Sequence, residues 1–355
     1  MRIGFVAWNL FQVQHYLPFM SLFDDPVLVI ENKGKEDYSS LLQIADEEGF
    51  SVLPLCAKNI ESIDDLFDIV LCQTPFAKIE RLRKVKIGML QYGLAKEVHN
   101  HGPWRALADV IFTYGTYTKN HLETYAPCFS IGHPKFLRNG LKKNSVNSQR
   151  PKIVYAPTHG ELTSAHYFLD SVVNLSKTYD VTIKLHHNLI LNSTLDDELL
   201  ELANPYLSTK NLEDLISESD IVISDFSGAI FDAIYLSKKV VLTRPNLDGK
   251  FVENKINNES LEVAKTPEIG PVVSNPDNLG NIIDNVFTNK IDFSERNMKL
   301  RKDLFTNEIK ACSVPKIIEA VCSGELQKSQ TQRFLKEAIK EARVNKFLLR
   351  RVGRK

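Results

Sequence analysis

Short β-rich runs alternate with segments of helical period along almost the whole chain, and this alternation decides the fold class. In the first half the runs are 3–8 (IGFVAW), 26–31, 50–55, 68–73, 85–90, 110–115 and 129–134. A polar stretch without apolar period, 138–151 (RNGLKKNSVNSQRP), follows, and the pattern restarts at 152–157, 181–186, 220–225 and 240–245. Strands separated by helices predict mostly parallel sheets covered on both faces. At 355 residues the chain is long for one core, so two doubly wound, Rossmann-like α/β domains facing a cleft are expected. The boundaries expected are 1–138, a linker 139–151, a second domain 152–310, and C-terminal helices 311–355.

In open α/β sheets ligands bind beyond the carboxyl ends of the strands, so those ends carry the functional reading. The run DIVISDFSGAIFDAIYLSKKVVLT, 220–243, breaks at Asp225-Phe226-Ser227-Gly228 where a helix is due. Ser227 suits an N-cap, and Gly228 lets a ligand come close to the backbone. The amides of Gly228 and Ala229 would then face an anion at the positive end of the helix. Asp225 would orient the turn or take a sugar hydroxyl, and Asp232 would accept from a ribose hydroxyl. A plain helix cap explains the same residues. Two more strand ends favour a shared site. YAPTHGE places Thr158 and His159 after one strand, while VTIKLHHN alternates so that Thr182, Lys184 and His186 share a face.

Five cysteines without a CxxC pair read as reduced thiols, and no metal site or cofactor is expected. The start (MRIGFVAWNLFQVQHYLPF) is interrupted by Asn9, Gln12, Gln14 and His15, which suits a strand and loop better than a leader peptide. No apolar run approaches the roughly 20 residues of a membrane span. Formal charge is zero overall, yet residues 331–355 carry nine Lys and Arg against Glu337 and Glu341. That tail reads as an amphipathic helix whose basic end, 343–355, meets an anionic membrane surface. Packing of the helix back on the first domain is the other reading. The acidic body and the absence of basic-aromatic interleaving exclude nucleic acid as the expected partner.

Residues 152–243 resemble the catalytic domain of the CDP-glycerol glycerophosphotransferases, the enzymes of teichoic acid and capsule poly(polyol phosphate) synthesis. The family's YAPTWR-like, LRxH and DxLITDYSSxxFD segments have counterparts here in YAPTHGE, IKLHHN and DIVISDFSGAIFD, in the same order. Upstream, FSIGHPKFL and GMLQYGLAKE sit where that family has xxIGYPRND and xQTWHGTPLK. The resemblance implies GT-B architecture, with the acceptor on the first domain and the nucleotide on the second. It also implies transfer of glycerol or ribitol phosphate from a CDP-polyol to a lipid-linked surface glycan or polymer, with release of CMP. The implied setting is the cytoplasmic face of the cell membrane, and a homo-oligomer would add avidity there. Thr158, His159, Lys184, Asp225, Ser227, Gly228, Ala229 and Asp232 are the expected nucleotide and phosphate ligands, and His186 the expected catalytic histidine.

Three departures matter. Tyr92 stands where the family has its WHG histidine, Gly160 where it has the Arg of PTWR, and Gly228 where it has the second Ser of DYSS. His99 and His101, just downstream, are the candidates to restore an imidazole. Other readings stay open: a GT-B glycosyltransferase using a CMP- or UDP-sugar, a UDP-sugar 2-epimerase, and a non-catalytic partner of a polymer synthase.

Overall fold

The computed structural model describes residues 1–33, 38–55, 58, 60–136, 150–186, 189, 195–245, 256–306 and 313–352, with side chains as far as 346. Most of the polar linker at 139–151, and Cys56 and Cys312, lie outside the described residues. The chain divides into two compact units. The first comprises Met1–Tyr92, His101–Arg138 and Asp303–Lys355; the second comprises Gly93–Asn100 and Asn139–Lys302.

The first unit holds a seven-stranded parallel sheet of β1 (Ile3–Ala7), β2 (Pro26–Glu31), β3 (Ser51–Leu55), β4 (Ile69–Cys72), β5 (Lys86–Leu90), β6 (Val110–Thr113) and β7 (Cys128–Ser130), in the order β3-β2-β1-β4-β5-β6-β7. β1, β2, β4 and β6 are buried at every residue, as a sheet sandwiched by helices requires. One face packs Phe5, Leu28 and Phe112 against Tyr16 and Phe19 of the helix Leu10–Met20 and Ile318 of the helix Val314–Ser323. The other packs Val29, Val70 and Ile111 against Ile63, Leu122 and Ile339.

Residues 10–20 form a helix where the sequence suggested a loop. Asn9 caps it by accepting from the Gln12 N–H at 2.9 Å. Gln12 and Tyr16 find polar partners in Trp8, Thr74 and Val6. Asn9 and Gln12, two of the polar residues that broke the apolar pattern, are thus hydrogen-bonded inside the unit.

The tail also packs on the first unit. The helix Gln330–Val352 turns Leu335 and Ile339 inward together with Lys336, Lys340 and Arg343. Lys336 Nζ meets Asp109 Oδ1 at 2.6 Å, Lys340 Nζ donates to the Leu82 carbonyl at 3.3 Å, and Arg343 Nε donates to Glu80 Oε2 at 3.1 Å. Just before the helix, Lys328 Nζ donates to the carbonyls of Ala106 and Ala108 at 2.7 and 2.8 Å. The apolar face expected of an amphipathic helix is therefore split: Leu335 and Ile339 turn inward, while Phe334 lies on the outer face, 72% exposed. No helix among the described residues is long and apolar enough to cross a membrane.

The second unit holds a five-stranded parallel sheet of β8 (Lys152–Tyr155), β9 (Asp180–Ile183), β10 (Ile221–Ser224), β11 (Lys239–Thr243) and β12 (Val272–Val273), in the order β12-β11-β10-β8-β9. Ile153, Tyr155, Ile221 and Ile223 pack on Phe168, Leu169 and Val172 of the helix Ala165–Asn174. Truncating one of these, Leu169→Ala for example, would cost about 2–5 kcal/mol. Val154, Val222 and Val240 are buried on the opposite face. β8 lies between β10 and β9 (Ile153 beside Ile221 and Val181), so the strand order reverses at β8. A crevice opens at such a point at the carboxyl ends.

Candidate active site

Asp225 follows β10 and is completely buried. One carboxylate oxygen accepts from the Thr158 and Phe226 N–H groups at 2.8 and 2.7 Å. The other accepts from the Ser164 N–H and hydroxyl at 2.8 and 3.0 Å. Burial pushes its pKa up, and these donors oppose the rise. Of the two roles the sequence left open, this geometry serves the first: Asp225 fixes the loop after β8 against the turn after β10.

Thr158 is itself only 2% exposed. Its amide is committed to Asp225, and its hydroxyl accepts from Lys96 Nζ at 3.2 Å. Beside it His159, four residues beyond the end of β8, and His186, three beyond the end of β9, bring their rings to 4.0 Å between centroids. Gly160, next to His159, has φ 73°. A side chain there would cost about 1–2 kcal/mol in backbone strain, so the arginine of the resembling motif has no easy place.

The turn expected to hold an anion is present in altered form. The helix runs Ala229–Tyr235 with Gly228 as its cap residue, and Ser227 Oγ accepts from the Ala229 N–H at 3.3 Å. One of the amides expected to face a ligand therefore already has a long hydrogen bond within the turn. Gly228 has ordinary helical angles, φ −59° and ψ −22°, and a Cβ built on it meets nothing within 4 Å. Asp232, on the first turn of this helix, is 6% exposed.

Lys184 is directed elsewhere. Its ammonium donates to the Ser208 carbonyl at 3.3 Å, and burial lowers its pKa while Glu213 opposes the shift. Arg244, just past β11, donates to Thr266 Oγ1 at 2.5 Å and to the Glu262 carbonyl, and lies over the Phe226 ring at 4.6 Å. Burial brings its pKa down to about 10, with Glu262 and Asp225 opposing.

Three residues of this region were not singled out from sequence: Lys96, Glu97 and Glu262. Lys96 and Glu97 close the GMLQYGLAKE segment, to which no role was given, and Glu262 lies far from every strand-end motif in the chain; the folded unit brings them there. Glu262 is completely buried, and desolvation raises its pKa to about 7, with amide donors and Lys96 opposing and Glu97 adding to the rise.

In the first unit, strand ends bring together Gln73, Gln91, Tyr92 and Tyr114. Gln73 Nε2 pairs with His15 Nδ1 and donates to the Gln91 carbonyl at 3.1 Å; Gln91 Oε1 accepts from the Tyr114 N–H at 2.7 Å. Tyr92 packs its ring 5.1 Å from that of Phe11, and burial raises its pKa. His101 packs 5.3 Å from His121, and burial, reinforced by His121 and Arg105, lowers its pKa to about 3. So weak a base is poorly suited to the role expected of it. His99 is exposed on the short helix Glu97–Asn100 of the second unit.

Two parallel, doubly wound α/β units with polar strand ends define a GT-B-type protein. The chain matches the family described as CDP-Glycerol:Poly(glycerophosphate) glycerophosphotransferase over residues 137–322, and it belongs to that family. It is thus a transferase acting on a CDP-activated polyol. Similar solved structures include the wall teichoic acid polymerase TagF, with TM-score 0.65, 14% identity, and coverage of 91% of this chain and 89% of that one. A TagF variant soaked with CDPG gives TM-score 0.63 and 13% identity over 91% and 88% of the two chains. A putative UDP-N-acetylglucosamine 2-epimerase from Listeria monocytogenes gives 0.60 and 14% over 93% and 98%. At these identities the likeness is one of fold. No curated protein is detectably similar in sequence.

Proposed function

We propose that the protein transfers glycerol phosphate or ribitol phosphate from the CDP-polyol to a hydroxyl of a lipid-linked surface glycan or polymer. The observation that supports this most directly is the pairing of His159 with His186 at 4.0 Å beside the switch strand β8. In this reading the acceptor oxygen forms a bond to the β-phosphorus. The bond from that phosphorus to the oxygen bridging it to the α-phosphorus breaks, and CMP leaves with the electron pair. Little covalent work falls to the protein, whose task is to position the groups and to stabilise charge on the transferring phosphoryl. His186 and His159 donate to its oxygens, while Ser227, the Gly228 amide and Asp232 hold the CMP portion. The hydroxyl's proton goes to a base for which His99, exposed on the 93–100 segment, is the candidate. Residues of the tail beyond Arg343 bind the anionic face of the membrane, where such an acceptor resides.

Calorimetric titration of the full chain with CDP-glycerol, CDP-ribitol, CMP and UDP tests the donor half of this reading. Binding of cytidine nucleotides that weakens in Ser227→Ala is expected. Binding of UDP alone would contradict it and favour a sugar nucleotide as donor.

A further inference from the structure

The segment Gly93–Asn100 follows β5 in the chain but is part of the second unit. Two buried carboxylates hold it in opposite directions. The Lys96 N–H donates to Glu262 Oε1 at 2.7 Å, and the Leu261 N–H donates to Glu97 Oε2 at 2.7 Å. Asn100 Nδ2 closes the segment on itself by donating to the Ala95 carbonyl at 2.7 Å. Between these ties Lys96 adopts φ 60°, a left-handed conformation that costs a lysine about 1–2 kcal/mol. Its carbonyl accepts from the His99 and Asn100 N–H groups at 3.0 Å each, so the strained residue starts a short helix. Strain of this kind persists only where its surroundings over-determine it, and such residues cluster at functional sites.

The clamp has a clear result: the partly buried Lys96 side chain reaches the end of β8, where Nζ stands 3.2 Å from Thr158 Oγ1. Thr158 is adjacent in sequence to His159, whose ring packs on His186. Of the other cations in this unit near strand ends, Lys184 is turned to the Ser208 carbonyl and Arg244 to Thr266 and Glu262. Gly160, at φ 73°, offers no side chain at all.

We propose that Lys96 is a donor-binding residue of this transferase, supplying the cation that neutralises the β-phosphate of the CDP-polyol. This rests on the donor reading given above. The β-phosphate is singled out because Lys96 stands on the Thr158–His159 side of the site, whereas the turn at Ser227 and Gly228 is left to the α-phosphate. An ammonium is a point charge able to follow the phosphoryl as its geometry changes, and a charge-assisted bond of this kind is worth about 10- to 100-fold in affinity.

The test is calorimetry on the full chain, titrating CDP-glycerol and CMP into wild type, Lys96→Met and Lys96→Arg, with melting temperatures alongside. Lys96→Met is expected to weaken CDP-glycerol about 10- to 100-fold while CMP affinity stays within about twofold, and Lys96→Arg recovers most of the loss. Unchanged CDP-glycerol affinity in Lys96→Met would overturn the proposal, as would an equal loss for both ligands, which would make Lys96 a structural tie. Failure of the wild type to bind either nucleotide would instead overturn the donor reading, and this proposal with it.

Discussion

The rings of His159 and His186 lie 4.0 Å apart, although 27 positions separate them in the chain. Neighbouring parallel strands, β8 and β9, bring them together by ending at the same edge. If the pair stabilises the transferring phosphoryl, the loss of one imidazole acts on turnover. His186→Ala is expected to lower kcat by about 10²- to 10⁴-fold while CMP affinity changes little. Steady-state kinetics beside CMP titration checks this, and an unchanged kcat would remove His186 from the mechanism.

Asp225 ties three backbone amides and one hydroxyl to a single buried carboxylate. Asp225→Ala leaves those donors without an acceptor, at a cost of about 3–5 kcal/mol. Urea denaturation of the purified variant should show this loss. A loss below about 1 kcal/mol would mean that the loops after β8 and β10 are held by something else.

Glu262 gives the second unit a pH signature. Its folded pKa, about 7, is raised above the unfolded value near 4.3, so the folded state holds the proton more tightly. The resulting stability is fully present below the unfolded pKa and is lost as pH rises towards about 7. Glu262→Gln keeps an acceptor for the Lys96 N–H and removes the titration. The variant should match wild type at about pH 4 and be more stable at pH 8, by up to about 3 kcal/mol. Denaturation midpoints at the two pH values decide this, and an equal difference at both would contradict it.

The tail's cations divide into two groups. Lys336, Lys340 and Arg343 face the first unit, whereas Lys346 is exposed and Arg350, Arg351, Arg354 and Lys355 follow it. Lys336→Ala should destabilise the protein by about 1–3 kcal/mol by leaving Asp109 without its cation. Deleting 347–355 should leave the melting temperature unchanged but weaken flotation with phosphatidylglycerol vesicles, since each well-placed Lys or Arg adds roughly 1 kcal/mol of attraction. Undiminished flotation of the truncated chain would show that the end of the tail does not dock on the membrane.

Eleven of the twelve strands among the described residues were legible in the sequence because each is a compact β-rich run bounded by turn residues. β12 is two residues long, too short to leave a pattern. The helix Leu10–Met20 read as a loop because Gln12 and His15 broke its apolar period, yet both are buried with polar partners. The strand-end residues Thr158, His159, His186 and Asp225 were legible for the reason they cluster, since parallel strands deliver their last residues to one edge. Lys96, Glu97 and Glu262 were not. The Lys96–Glu262 bond spans 166 positions, and no local period encodes it. The tail's inward face was misread for a related reason: Lys336 and Arg343 count as solvent charges until Asp109 and Glu80 are placed opposite them.

The most direct test of the whole account is product analysis with CDP-glycerol or CDP-ribitol labelled in the polyol, supplied with a membrane fraction as the source of lipid-linked acceptor. Incorporation of the label into lipid-linked material with release of one CMP per polyol phosphate is expected, with loss of both in His186→Ala. Incorporation without CMP release, or turnover of a UDP-sugar but of neither CDP-polyol, would contradict it.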